Sequence, residues 1–284
     1  MKSIDTLISD INNLFLGADV SREGCDEFGK RLADLMYNKF REYSEPRGSQ
    51  LRMSMIGSPD RKAWYKVRPE TPKEEFTPTQ LRKFLMGDII EEIVLFLAKE
   101  AGHEVTEEQG EAVIEGVLGH KDCRIDGVTV DVKSASTRGF DKFLYHKLES
   151  DDPFNYMHQI AGYVQAESEE GKNNDEVAFL AFEKQHTKMC LDKYSTEDLP
   201  SAAERIKQLK VVIEKPSEPD HCYEPVPDGK SGNMKLATQC SYCEYKRHCW
   251  RDANDGQGLR VFRYSNGLRY LTDVQKEPKV EEIL

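Results

Sequence analysis

The chain has 284 residues, 32% of them charged, a formal net charge of −11 and a mean hydropathy of −0.68. No run approaches the ~18 apolar residues that a membrane span requires, and the N-terminus lacks the pattern of a secretory signal, so a soluble cytoplasmic protein is expected, in the host cytoplasm if phage-encoded. The acidic balance argues against a protein that coats nucleic acid by bulk electrostatics, but not against a nuclease, whose acidic metal site raises the carboxylate count.

Residues 1–45 read as helical, with apolar positions at Leu7, Ile8, Ile11, Leu14 and Phe15, then Leu32, Leu35 and Met36. Residues 46–75 are rich in Gly, Pro and charge and read as loop. Thr77-Pro78 is a helix start, and that helix runs to Ala101, closed by Gly102. Residues 112–118 form a strand, followed by the two arms of a hairpin. Asp152-Pro153 opens a helix through about Glu167. Residues 176–183 and 187–191 read as strands and 200–214 as a helix. A Pro-rich linker at 215–220 leads into a cysteine cluster. This order implies a mixed α/β core with three regions. They are an N-terminal helical region and loop (1–75), a core (76–214), and a cysteine-bearing segment packed on the core (215–284).

The hairpin carries the chemistry. Asp126-Gly127 is a preferred pair for a two-residue turn. With those residues at the turn, Ile125 pairs with Val128, Cys123 with Val130, and Asp122 falls opposite Asp131. The strand period of two puts Asp131 and Lys133 on one face and Val128, Val130 and Val132 on the other. His120 is expected on the polar face, opposite Lys133. Like charges directly opposed destabilise a sheet; a divalent cation between them resolves this, and hard cations such as Mg²⁺ prefer carboxylate oxygens. A third acidic ligand is needed, and Glu91 is the candidate, with Glu92 or Asp88 as substitutes. Carboxylates, metal and an adjacent lysine are what phosphodiester hydrolysis uses.

Glu91, then Gly119-x-x-Asp122, Asp131-x-Lys133 and Gln159-x-x-x-Tyr163 together resemble the PD-(D/E)XK nuclease superfamily. More narrowly they resemble its RecB-like branch, which includes CRISPR-associated exonucleases and many phage exonucleases. The resemblance spans residues 77–250; the branch often has histidine where this chain has Glu91, and the literal Pro-Asp dipeptide is absent. It implies a restriction-endonuclease-like core, a mixed central sheet flanked by helices. It further implies a Mg²⁺- or Mn²⁺-dependent deoxyribonuclease, as an exonuclease. Glu91, Asp122 and Asp131 would then be metal ligands, Lys133 would assist the attacking water, and Gln159 and Tyr163 would position DNA. DNA is the implied partner, engaged by the chain as a homo-oligomer or in a larger DNA-processing complex. The alternative is a non-catalytic or partner-dependent nucleic-acid-binding protein.

The chain has 7 cysteines. An odd number without a secretion signal does not point to disulfides. Cys240-x-x-Cys243 followed by Cys249 groups three soft ligands, which suits an iron–sulfur cluster or zinc. Members of the RecB-like branch carry a 4Fe–4S cluster on three C-terminal cysteines of this spacing plus one upstream, and here the upstream place holds Asp60. Cys222 is the favoured fourth ligand, with Asp60 and Cys25 as alternatives. Cys123 and Cys190 are expected in the core.

Overall fold

In a computed structural model that describes residues 2–42, 49–172 and 175–283, helices form at Leu7–Leu14 (α1), Arg22–Glu42 (α2), Asp60–Lys66 (α3), Pro78–Glu100 (α4), Thr137–Leu144 (α5), Tyr156–Glu169 (α6) and Ala202–Ile213 (α7). Strands form at Val105–Thr106 (β1), Gly110–Ile114 (β2), Val117–Lys121 (β3), Cys123–Ile125 (β4), Val128–Ala135 (β5), Glu176–Glu183 (β6) and Met189–Ser195 (β7). The end of the expected first helical region, 43–45, lies outside the described residues. Two compact units result, Met1–Ser58 with Pro78–Gln208, and Pro59–Thr77 with Leu209–Leu284. Residues 59–75, grouped by sequence with the N-terminal region, and 76–77 and 209–214, grouped with the core, fall with the C-terminal unit.

In the first unit, Asp126 and Gly127 turn with φ of +50° and +85°, as a two-residue primed turn requires. The register across it is Ile125 to Val128 and Cys123 to Val130. The central sheet runs β1-β4-β5-β6-β7, with β5 and β6 parallel and the other pairs antiparallel. The single strand expected at 112–118 is instead a second hairpin, β2–β3, because Glu115 and Gly116 both take positive φ and fold the chain back. One face of the central sheet, with Val130, Val132, Ala178 and Leu180, packs on Leu7 and Ile11 of α1 and on Ile90, Val94 and Ala98 of α4. The other face, with Val177, Phe179 and Ala181, packs on Phe140 and Phe143 of α5 and on Ile160 and Val164 of α6. α5 was not expected from sequence. The result is a mixed α/β unit, a mixed sheet flanked by helices, as the sequence implies.

The second unit contains α3 and a five-stranded sheet ordered β12-β10-β11-β9-β8. Its strands are Val226–Pro227 (β8), Met234–Lys235 (β9), Arg260–Tyr264 (β10), Gly267–Asp273 (β11) and Glu282–Ile283 (β12), with short helices at Thr238–Ser241 (α8) and Lys246–Cys249 (α9). Among the described residues, no helix is long and apolar enough to cross a membrane.

Candidate metal-dependent active site

The site begins where β5 loses a neighbour. Its pairing with β4 ends at Val130, whereas β6 accompanies it to Ala135. The N–H of Val132, with no β4 residue across from it, donates instead to Asp122 Oδ2 at 2.7 Å. Asp122 stands at the one-residue link between β3 and β4, so leaving one hairpin and entering the next brings its carboxylate to β5. Asp131 is 2% exposed. Lys133 Nζ forms an ion pair with its Oδ2, yet neither Asp131 oxygen receives a well-formed hydrogen bond. The Lys133 ammonium offsets part of the cost of burying this carboxylate, and a metal cation held among neighbouring carboxylates would offset more.

α4 offers Asp88, Glu91 and Glu92 within about one helical turn, and α2 decides among them. Arg31 forks onto Glu92 at 2.7 and 3.1 Å, and Lys39 pairs with Asp88 at 2.7 Å. Glu91 receives a hydrogen bond from Gln109 Nε2 at 2.7 Å. Burial, and then the nearby Asp131, Asp88 and Glu92 carboxylates, push the Glu91 carboxyl up to about 7 against the Gln109 bond that lowers it. Asp122 is raised well above the carboxylate range, by burial first and then by Asp131 and Glu91. Three acidic groups from three elements therefore press on one another around Lys133. Burial alone would depress the Lys133 ammonium, but the Asp131 and Asp122 charges outweigh it and hold it protonated.

Two residues at this site escaped the sequence. Gln109 holds Glu91 through its side chain and Asp122 through its backbone, its N–H donating to the Asp122 carbonyl at 3.0 Å. It sits in a loop at positive φ and carries no motif. Tyr156 lies with its ring 4.9 Å from Lys133 Nζ, a cation–π contact with the ammonium. An aromatic three residues before Gln159 was the one available signal.

Gln159 and Tyr163 do share a helix face, and Gln159 Nε2 donates to Tyr163 Oη at 2.9 Å. Tyr163 is 2% exposed, with its hydroxyl within reach of the Asp131 and Asp122 charges. A Cβ on Gly119 would stand 3.0 Å from Tyr163 Cε1 and 2.3 Å from Met53 Cβ, which accounts for glycine in Gly119-x-x-Asp122. His120 is not opposite Lys133: it is half-exposed on β3, across from Glu111 of β2, because β3 belongs to a separate two-stranded sheet.

In the second unit, Cys240, Cys243 and Cys249 lie on and around α8 and α9, packed against Trp64, Tyr65, Tyr245 and Trp250. Cys222 is close by: burial, and then the Cys222, Cys243 and Cys249 sulfurs, push the Cys240 thiol up to about 12. Burial pushes the Cys222 thiol up against the Lys62 and Arg61 backbone groups that lower it. Cys25 is exposed on α2, in the other unit, while Cys123 and Cys190 are buried as expected. Among the described residues, no three His, Cys, Asp or Glu side chains close to the spacing of a single metal ion. The expected Cys-rich metal site is thus a gathering of thiols without that closure, and the Glu91, Asp122 and Asp131 carboxylates do not close to that spacing either. By donor chemistry both sets fit their cations: hard oxygens around Asp131, and soft thiolates around Cys240.

No protein-family model matches the sequence, and no curated protein matches it. A solved chain titled "Crystal structure of SSO0001" aligns with 75% of this chain and 93% of its own length. The identity is 13% and the TM-score 0.42, a likeness that bears on neither fold family nor function.

Proposed function

We propose that the chain is a Mg²⁺- or Mn²⁺-dependent deoxyribonuclease of the PD-(D/E)XK kind, acting as an exonuclease. The observation that supports this is the gathering of three carboxyl groups from three elements, Glu91, Asp122 and Asp131, in which burial and neighbouring charge raise the proton affinity of Glu91 and Asp122, beside the Lys133 ammonium, which pairs with Asp131. Glu91, Asp122 and Asp131 would hold the cation, with Glu92 and Asp88 excluded by their Arg31 and Lys39 partners. When bound, such a metal lowers the pKa of a coordinated water and polarises a phosphate oxygen. Lys133, kept charged by Asp131 and in contact with the Tyr156 ring, stabilises negative charge on the phosphate as the bond breaks. It is a poor general base for the same reason. Gln109 fixes the separation of two carboxylates, and Gln159 orients the Tyr163 hydroxyl within reach of Asp131 and Asp122. A 4Fe–4S cluster, or zinc, on Cys222, Cys240, Cys243 and Cys249 would tie the second unit together, a structural role.

The test is degradation of end-labelled single- and double-stranded linear DNA against a closed circle, with Mg²⁺, Mn²⁺ or EDTA. Metal-dependent loss of linear substrates alone is expected, abolished in Asp131→Ala and Lys133→Ala. Cutting of the circle would replace exonuclease by endonuclease. No cleavage by folded, metal-replete protein would overturn the enzyme reading in favour of a nucleic-acid-binding protein.

A further inference from the structure

Phe154 is 65% exposed and belongs to neither hydrophobic face of the central sheet. It is nevertheless not a loose side chain. Asp152 closes the turn beneath it, accepting from the Met157 N–H at 2.9 Å through Oδ2 and from the Asn155 N–H at 3.2 Å through its carbonyl. Asn155 takes φ +58° and is packed so closely on Gly57 that a Cβ there would stand 2.3 Å from Asn155 Cβ. Within this held turn, the Phe154 ring lies 5.5 Å from the Tyr156 ring, tilted by 33°. Tyr156 in turn backs onto Phe143 at 6.0 Å and faces Lys133 Nζ at 4.9 Å. The series Phe154, Tyr156, Lys133, Asp131 therefore runs unbroken from solvent to the acidic centre.

A rigid ring covered on one side by another aromatic and open on the other is a stacking surface, and its nearness to Lys133 states what stacks there. Single-stranded nucleic acid brings bases to within one or two nucleotides of any phosphate it presents, and every base offers a flat π-face that aromatic side chains bind irrespective of sequence. A base inside a duplex has both faces covered by its neighbours and is unavailable. We propose that Phe154 is a binding residue for an unpaired nucleobase beside the phosphate held at Asp131 and Lys133, so that the site takes single strands or frayed ends. This rests on the nuclease reading for the identity of the phosphate, but the stacking itself does not require cleavage.

The experiment is binding of oligothymidylate, and of the same strand with abasic residues at its end, in EDTA so that nothing is cut. Wild type, Phe154→Ala and Phe154→Trp are compared. Phe154→Ala is expected to bind oligothymidylate about 5- to 150-fold more weakly, the range for loss of one aromatic–base stack. The abasic strand should bind wild type as weakly, with no further loss in the variant. Phe154→Trp should restore affinity, and its added fluorescence should be quenched by oligothymidylate and not by the abasic strand. Equal affinity of wild type and Phe154→Ala for oligothymidylate would overturn the proposal, as would equal quenching by the two strands. Wild type that stacks but never cleaves with Mg²⁺ or Mn²⁺ would sink the nuclease reading and leave the platform standing; cleavage unaccompanied by stacking would do the reverse.

Discussion

Glu91 gives the acidic centre a measurable signature in metal-free protein. Its carboxyl rises from the ordinary glutamate value of 4.5 to about 7, through burial first and neighbouring carboxylates second. Across that interval the native state keeps a proton that the unfolded chain has released, so stability falls as pH rises. Below about pH 4.5 the penalty is absent, and above about pH 7 it is complete. At 1.36 kcal/mol for each tenfold change, Glu91 alone removes about 3 kcal/mol from the protein near pH 8 in EDTA. Glu91→Gln retains an oxygen to accept from Gln109 and cannot ionise. Urea unfolding from about pH 5 to about pH 8 should therefore show wild type losing stability and the variant losing about 3 kcal/mol less. Added Mg²⁺ should restore wild type near pH 8 and do little for the variant. A variant no more stable than wild type near pH 8 in EDTA would mean that Glu91 is not crowded by carboxylates, and the metal-site argument would lose its electrostatic basis.

Three further outcomes test the frame around the site. Lys121 and Glu167, each 2% exposed, form an ion pair that also draws in Glu107, Arg124 and Thr129. Lys121→Met should cost about 1–3 kcal/mol in urea unfolding, because Glu167 loses one charged partner and keeps Arg124 and Thr129, and adding Glu167→Gln should recover part of the loss. Gly119→Ala forces a Cβ to within 2.3 Å of Met53 Cβ, and thermal melting should show a loss of about 1–3 kcal/mol because no rotamer moves a Cβ away. Cys222→Ser should lower the iron or zinc content of anaerobically purified protein while Asp60→Asn leaves it unchanged; the opposite pattern would make Asp60 the fourth ligand.

What was legible in the sequence, and what was not, divides along physical lines. The Asp126-Gly127 turn was readable because two adjacent residues at positive φ restrict the choice of side chains, and the register of β4 on β5 follows from it without tertiary information. Glu115-Gly116 obeys the same rule, with Glu115 at φ +49°, but glutamate is an unusual choice there and the second hairpin went unseen. α3 lies in a stretch rich in glycine, proline and charge. What organises its seven residues is tertiary: the Trp64 indole N–H donates to the Lys215 carbonyl at 2.9 Å, and Tyr65 packs against Tyr245. In β10, Val261 and Phe262 are both buried, so the alternation that marks a strand is broken.

The choice among the α4 acids shows the same limit at the site itself. Asp88, Glu91 and Glu92 lie within about one turn of the helix, and helical periodicity alone does not separate them. The distinction comes from α2, some fifty residues earlier in sequence, whose Arg31 and Lys39 neutralise the outer two and leave the middle one facing Asp131. α2 buries none of its residues fully, and its apolar contact with α4 is partial, with Phe28 stacked on Phe96 at 4.8 Å. Its Arg31 and Lys39 ion pairs add a polar one. Exchanging the charge of Lys39, as Lys39→Glu, should free Asp88 to compete and raise the Glu91 carboxyl further. The fall of stability with pH in EDTA should then steepen relative to wild type, while an unchanged profile would show that α2 does not govern the electrostatics of the acidic centre.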